Sequence, residues 1–290
     1  MSLEKSYTGF SNFVNQSMNT FISLLKMMMR SKLSIRLPQA ESETCVILGN
    51  GPSLKTSLKN HPELFTKNDL VCVNNFSTTE EYSLLKPKYY VILDYAFWLS
   101  DGKIILDAIE ALKTKTTWPL QLFVPSIASK SPRFKILCSE NKNIQLNYFN
   151  YVVFKGFPSV SHFIFRKNWA MPQSQNVLVA AIFLSINLKF KKIVIVGADH
   201  TWHQTLHVDE NNVVHFKNVH FFETEEKVEY VPLKKGIHID ETFRMHEIMS
   251  TFGKTFYGYD VVKKYGDSCN VAIYNASDVS YIDAFNRIKL

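Results

Sequence analysis

The residues in this chain best suited to chemistry stand where apolar runs stop. Thr44-Cys45-Val46-Ile47-Leu48 breaks on Gly49-Asn50-Gly51-Pro52-Ser53 and continues into residues that suit a helix. Four consecutive apolar residues read as a central parallel strand, and glycine on both sides of Asn50 allows a sharp turn and a close approach to a ligand. Pro52 suits a first helical turn, where its missing N–H has no helical partner in any case. Asn50 and Ser53 offer polar groups at a helix start, where free backbone amides favour an anion. An ordinary strand-to-helix turn is the plainer reading. The stretch lacks the Gly-Lys-Ser/Thr of a Walker loop and does not match G-x-G-x-x-G.

The same punctuation recurs. The run 69–75 ends on Asn74 and Asn75, the run 89–94 ends on Asp94, and the run 193–199 ends on Gly197 and Asp199. Ligands of open α/β sheets bind beyond the carboxyl ends of strands, so Asn50, Asn74, Asn75 and Asp94 should meet in one crevice. Any one of them could simply cap a helix or close a turn. Their recurrence on three successive strands is what points to a site. Between His200 and Gly236 lies a long polar stretch containing His200, His203, His207, His215 and His220, of the length expected of a lid. The spacing His200-x-x-His203-x-x-x-His207 invites a metal, but it follows no zinc signature and lacks a helical context.

The elements that must position these residues alternate between strand and helix, as a doubly wound parallel sheet requires. Further strands are expected at 120–126 and 270–277, and an apolar helix at 177–188. Asp240 is the expected N-cap of a helix carrying Phe243, Ile248, Met249 and Phe252, and Tyr281 to Arg287 reads as a short terminal helix. Residues 9–30 space Phe10, Phe13, Val14, Met18, Phe21 and Leu25 by three and four, giving one apolar stripe on a helix. Lys26, Arg30, Lys32 and Arg36 cluster at its end. Such a helix suits an anionic membrane face, though packing of the stripe on its own domain or a sister subunit is the plainer expectation. The division expected is therefore an amphipathic helix and linker over 1–43 and one α/β catalytic domain over 44–290, with a lid at about 200–238.

Composition narrows the partners. Charged residues make up 20% of the chain and hydrophobic ones 46%, which fits a folded globular protein. The net charge of +7 suits anionic partners such as nucleotide phosphates or a membrane surface. Nucleic acid is disfavoured, because the basic residues are dispersed and no recognition motif appears. Cys45, Cys72, Cys138 and Cys269 are widely spaced, so reduced thiols in a cytoplasmic protein are expected, with the inner face of the cell membrane as a further location. No apolar run reaches transmembrane length.

The motif Val46-Ile47-Leu48-Gly49-Asn50-Gly51-Pro52-Ser53-Leu54, the strand closing on Asn74 and the strand Lys192 to Asp199 resemble the bacterial sialyltransferases of glycosyltransferase family 42. The same opening motif occurs in related hydroxymethylpterin diphosphokinase-like and flagellin-glycosylating proteins. The resemblance runs over roughly residues 44–277 and implies a GT-A-like Rossmann variant. It also implies transfer of a sialic-acid-like, nonulosonic sugar from a CMP-activated donor to a surface glycan, as in polysaccharide or lipopolysaccharide biosynthesis. The acceptor could be lipid-linked and the enzyme a homo-oligomer. By the same resemblance Gly49, Asn50, Gly51, Ser53 and Asn74 hold the donor. Asp94 replaces a third asparagine, and Ser174-Gln175-Asn176 replaces a Thr-Ser-Gly, which assigns Gln175 and Asn176 to the donor. Thr201 and Trp202 fall near the first of two phosphate-holding tyrosines, and Asp199 closes the Gly-x-Asp strand. The general-base histidine matches His238, with Lys234 and Lys235 beside it to meet a phosphate. A histidine suits that role because its ordinary pKa of about 6.5 lies close to neutrality. No Asp-x-Asp pair occurs. An inverting, metal-independent transferase needing no cofactor beyond its CMP-sugar is expected. The alternatives are a magnesium-dependent diphosphokinase-like enzyme, for which Asp94 and Asp199 could serve, and a non-catalytic nucleotide-binding membrane scaffold.

Overall fold

A computed structural model describes residues 2–217, 219–222, 229–236 and 239–290, with side chains from Thr8 onward. The strands are β1 (Thr44–Leu48), β2 (Asp69–Val73), β3 (Tyr89–Val91), β4 (Leu120–Pro125), β5 (Ile144–Phe149) and β6 (Lys192–Val196). They are followed by the short β7 (His207–Val208), β8 (Val214–Phe216), β9 (Val231–Pro232), β10 (Lys234–Gly236) and β11 (Ile239–Thr242), then β12 (Ala272–Asn275) and β13 (Asn286–Arg287). The helices are α1 (Ser2–Arg30), α2 (Ser53–Asn60), α3 (Pro62–Thr66), α4 (Glu80–Leu85), α5 (Ala96–Leu99), α6 (Lys103–Lys115), α7 (Arg133–Glu140), α8 (Pro158–Arg166), α9 (Val177–Asn187) and α10 (Met245–Ser268).

One sheet takes the order β13-β12-β6-β1-β2-β3-β4-β5, and each of its pairings is parallel. This is the expected α/β, doubly wound architecture. Strand side chains alternate between its two faces. Cys45, Ile47, Val71, Ile193 and Ile195 join a core with α9 and α10. Val46, Leu48, Cys72, Val194 and Val196 join a second core that includes Leu54 from α2 and Ala108 and Leu112 from α6. A sheet covered on both faces needs continuous apolar strands, which is why β1 and β6 were legible as runs. All residues of α9 are buried, so its apolarity runs around the whole helix rather than along one stripe.

Three elements depart from the sequence expectation. α10 starts at Met245 with Arg244 at its cap, whose amide donates to Glu247 Oε2 at 2.8 Å; Asp240 instead lies in β11 and pairs with Lys234 at 2.9 Å. The terminal segment is not a helix. Arg287 donates to the Ser277 and Asp278 carbonyls while β13 extends the sheet edge beside β12. Finally, α1 does not pack by its apolar stripe. Thr20 Oγ1 accepts from the Phe157 amide and Ser23 Oγ from the Lys155 amide, both at 3.0 Å, and Met27 alone of the helix's described apolar residues is fully buried.

Candidate functional site

β1 and its neighbour β6 start the two opposite windings of the sheet, and the crevice at such a switch point is where α/β folds bind ligands. The loops leaving these strands are packed backbone to backbone. The Gly49 amide donates to the Val196 carbonyl at 2.8 Å and the Gly51 amide to the Gly197 carbonyl at 2.9 Å. A Cβ on Gly49 would lie 2.3 Å from the Gly197 oxygen, and one on Gly51 would lie 2.7 Å from it. Gly197 itself has φ +66, in the left-handed region. The glycines flanking Asn50 therefore serve loop-to-loop contact, and Gly51 also lines the cavity described below.

Asp199 and Ser53 complete this floor. The Ser53 amide donates to Asp199 Oδ2 at 2.9 Å, and Ser53 Oγ donates to Asp199 Oδ1. Burial raises the Asp199 pKa, and the Ser53 hydrogen bonds oppose that shift. The helix-start position expected to attract a ligand anion is thus occupied by the protein's own carboxylate.

A cavity of about 740 Å³ opens above the floor. It brings together Asn50, Gly51, Asn74, Asp94, Gln175, Asn176, Asp199, Thr201, Trp202 and Lys234 from the sequence expectation. Gly49, Ser53 and Lys235 do not line it. Gly49 is covered by Gly197, Ser53 turns toward Asp199, and Lys235 is drawn to Glu241 and Glu247 at 2.6 and 2.9 Å. His238, the expected base, lies outside the described residues, as do residues 223–228 of the expected lid. Gly236 lines the cavity two residues before His238. Asn75, expected beside Asn74, does not line the cavity either.

Asn74 adopts φ +46, a left-handed conformation that asparagine tolerates, and its Oδ1 accepts from the Leu93 amide at 3.3 Å. Asn50 Nδ2 donates to the Val73 carbonyl at 3.3 Å, while the buried Asn50 Oδ1 meets no donor among the described residues. Such an orphaned acceptor costs about 1–3 kcal/mol until a donor meets it. Asp94 is exposed at the cavity, with Oδ1 accepting from the Ala96 amide at 2.9 Å.

Asn176 fixes the opposite wall. Its Oδ1 accepts from the Leu178 and Val179 amides, capping α9, and this leaves Nδ2 to donate to Tyr259 Oη at 2.9 Å and His200 Nε2 at 3.1 Å. Tyr259 Oη lies 2.6 Å from the same Nε2. Burial pushes the His200 pKa down to about 3, so the ring stays neutral, and Trp202 lies over it with centroids 4.2 Å apart. So weak a base is poorly matched to proton abstraction near neutrality.

Several cavity residues escaped sequence reasoning. Tyr151 follows β5, a strand that was not expected, and the strand-end rule would have found it had β5 been read. Lys217 and Thr205 come from the lid, where no periodic pattern places them. Phe221 pins that lid: its amide donates to the Asn50 carbonyl at 3.0 Å, and its ring stacks on Phe76 within the second core. His207 stacks on His215, which contacts Asp209 at 3.0 Å. Among the described residues no three metal-ligating side chains converge.

No protein-family model and no curated protein matches the sequence. Among solved structures, the MAf glycosyltransferase from Magnetospirillum magneticum AMB-1 is similar over 95% of this chain, with a TM-score of 0.51 and 13% identity. The fold is shared. This chain spans 38% of the length of that one. None of the described helices is long and apolar enough to cross a membrane.

Proposed function

We propose that the chain is a glycosyltransferase whose switch-point cavity binds a nucleotide-activated sugar. The observation that carries this reading is the convergence of Asn50, Asn74, Asp94, Gln175 and Asn176 on one cavity that the lid lysines Lys217 and Lys234 also line. Side-chain amides and a carboxylate suit the hydroxyls and base of a nucleotide, and the lysines suit its phosphate. The fold shared with a glycosyltransferase supports the class, and the motif resemblance supports a CMP-activated nonulosonic donor and a glycan acceptor.

In this reading Asn50 and Asn74 hold the nucleotide, and Asn50 Oδ1 accepts from a donor hydroxyl or amine. Asp94 accepts from a sugar hydroxyl. Lys217 and Lys234 stabilise the departing phosphate, while His238 accepts the proton of the attacking acceptor hydroxyl, giving inversion at the transferred carbon. The neutral, tethered His200 supports the wall of the pocket. Transfer without a metal follows from the lysines taking the phosphate's charge. The magnesium-dependent alternative asks Asp94 and Asp199 to share an ion, whereas Ser53 holds both Asp199 oxygens.

The test is transfer from CMP-activated sugar by wild type and His238→Ala. Turnover should fall by about 10²-fold or more in the variant with donor binding nearly unchanged, and the acid limb of the wild-type pH profile should vanish. Near-normal turnover with the same profile would place the base elsewhere. Full activity in EDTA would separate this reading from the diphosphokinase one.

A further inference from the structure

α1 docks through Thr20, Ser23, Leu24 and Met27, and the broader face it leaves in solvent is apolar. Phe10, Val14, Met18, Phe21, Leu25 and Met29 follow one another at intervals of four, four, three, four and four, which is one stripe of a helix. They are exposed, with Phe10 at 69%, Phe21 at 63% and Met29 at 82%, whereas Met27 on the docked side is at 5%. Docking is specified rather than incidental. Gly156 has φ +134, and a Cβ there would lie 1.9 Å from Thr20 Oγ1, so this backbone accepts α1 only as glycine. The outward face is thus held outward, with no described part of the chain covering it.

Charge identifies the occupant. From Lys5 to Ala40 the chain carries five basic residues and no acidic one. Lys26 and Arg30 flank the apolar stripe, and Lys155, on the segment beneath α1, has its pKa lowered by burial and by the nearby charges of Lys254 and Lys26. A second copy of the chain would bring a like-charged helix, acid-free from Lys5 onward, against this one. An anionic lipid surface neutralises the cluster and buries the stripe together.

We infer that α1 docks the protein on an anionic membrane by its outward apolar face. Asn150, just beyond β5, binds the backbone of Lys32 just beyond α1 through both its Oδ1 and Nδ2, and Tyr151 beside it lines the cavity. The C-terminal end of α1 is therefore tied beside a wall of the cavity. The inference does not depend on the proposed reaction.

The experiment is co-sedimentation of the full chain with vesicles of phosphatidylcholine, alone or with about one third phosphatidylglycerol, paired with size-exclusion chromatography. Wild type should sediment with the anionic vesicles and leave the neutral ones largely unbound. Phe21→Ser/Leu25→Ser should weaken that binding at least about tenfold. Lys26→Gln and Arg30→Gln should each weaken it about fivefold and reduce its salt dependence. All four positions are solvent-facing, so thermal unfolding should be unchanged and a binding loss is not a folding loss. Wild type remaining in the supernatant would overturn the inference. If it then elutes as a dimer that Phe21→Ser/Leu25→Ser converts to monomer, the face joins two copies instead. Equal sedimentation of wild type and the Phe21/Leu25 variant would overturn it as well.

Discussion

The cavity has a floor and a lid that are held by different physics. The floor, from Gly49 to Ser53 and from Gly197 to His200, is locked by backbone contacts between two loops, with Asp199 bonded to Ser53 and His200 buried against Tyr259 and Asn176. The lid, from Thr201 onward, has among its described residues up to Phe243 only Val214 and Phe221 fully buried, and much of the rest is held by short antiparallel pairings. A ligand's nucleotide would meet a preformed surface on one side and a separable one on the other. The difference teaches that positioning and closure are assigned to different segments, and each can be broken alone.

The largest expected effect comes from the lid's anchor. Phe221→Ala removes a buried ring stacked on Phe76, a change that costs about 3–5 kcal/mol where the whole fold depends on it. Here the loss should be confined to the lid: amide exchange over 201–217 and 229–236 should accelerate, while β1 and β6 stay protected. Global unfolding of the variant would erase the distinction between the two regions.

A smaller change in the floor should act on the whole domain. Gly49→Ala sets a methyl 2.3 Å from the Gly197 oxygen and should destabilise by about 1–3 kcal/mol, read as a lower urea midpoint for the sheet. An unchanged midpoint would mean that the loops can separate freely.

His200 gives the floor a pH signature. Its folded pKa of about 3 lies below the ordinary imidazole value of 6.5, so the unfolded chain binds more protons between these limits. The stability this contributes is complete above pH 6.5 and is lost as pH falls toward 3, at up to about 1.4 kcal/mol per pH unit. His200→Asn, which suits the residue's φ of +56, should flatten that part of the urea-midpoint profile. Parallel profiles for wild type and variant would remove His200 as the source.

The contrast between floor and lid also explains what the sequence made legible. β1, β2 and β6 are buried on both faces, so Val46 to Leu48 and Ile193 to Val196 had to be apolar runs, and the polar residues ending them marked the site. The partners of those residues were hidden, because Asp199 meets Ser53 across 146 positions of chain. The N-terminal helix shows the same limit. Its periodicity was plain, but periodicity favoured the wrong docking face, since Thr20 and Ser23 reach amides 137 and 132 residues away. In the lid, Lys217 and Phe221 lie in polar sequence with no repeating pattern, so nothing local announced that one lines the cavity and the other anchors its cover.

The smallest perturbation is also the most direct test of the central claim, that the β1/β6 crevice is a nucleotide site. Calorimetric titration with CMP, UDP, GDP and ATP should show CMP binding to wild type, with the others at least about tenfold weaker. Asn50→Ala should weaken CMP by about tenfold with only a small change in the melting temperature of the free protein, because the long Nδ2 bond to Val73 is lost while the orphaned Oδ1 is removed with it. Failure of CMP to bind wild type, or equal CMP affinity in Asn50→Ala, would contradict the account.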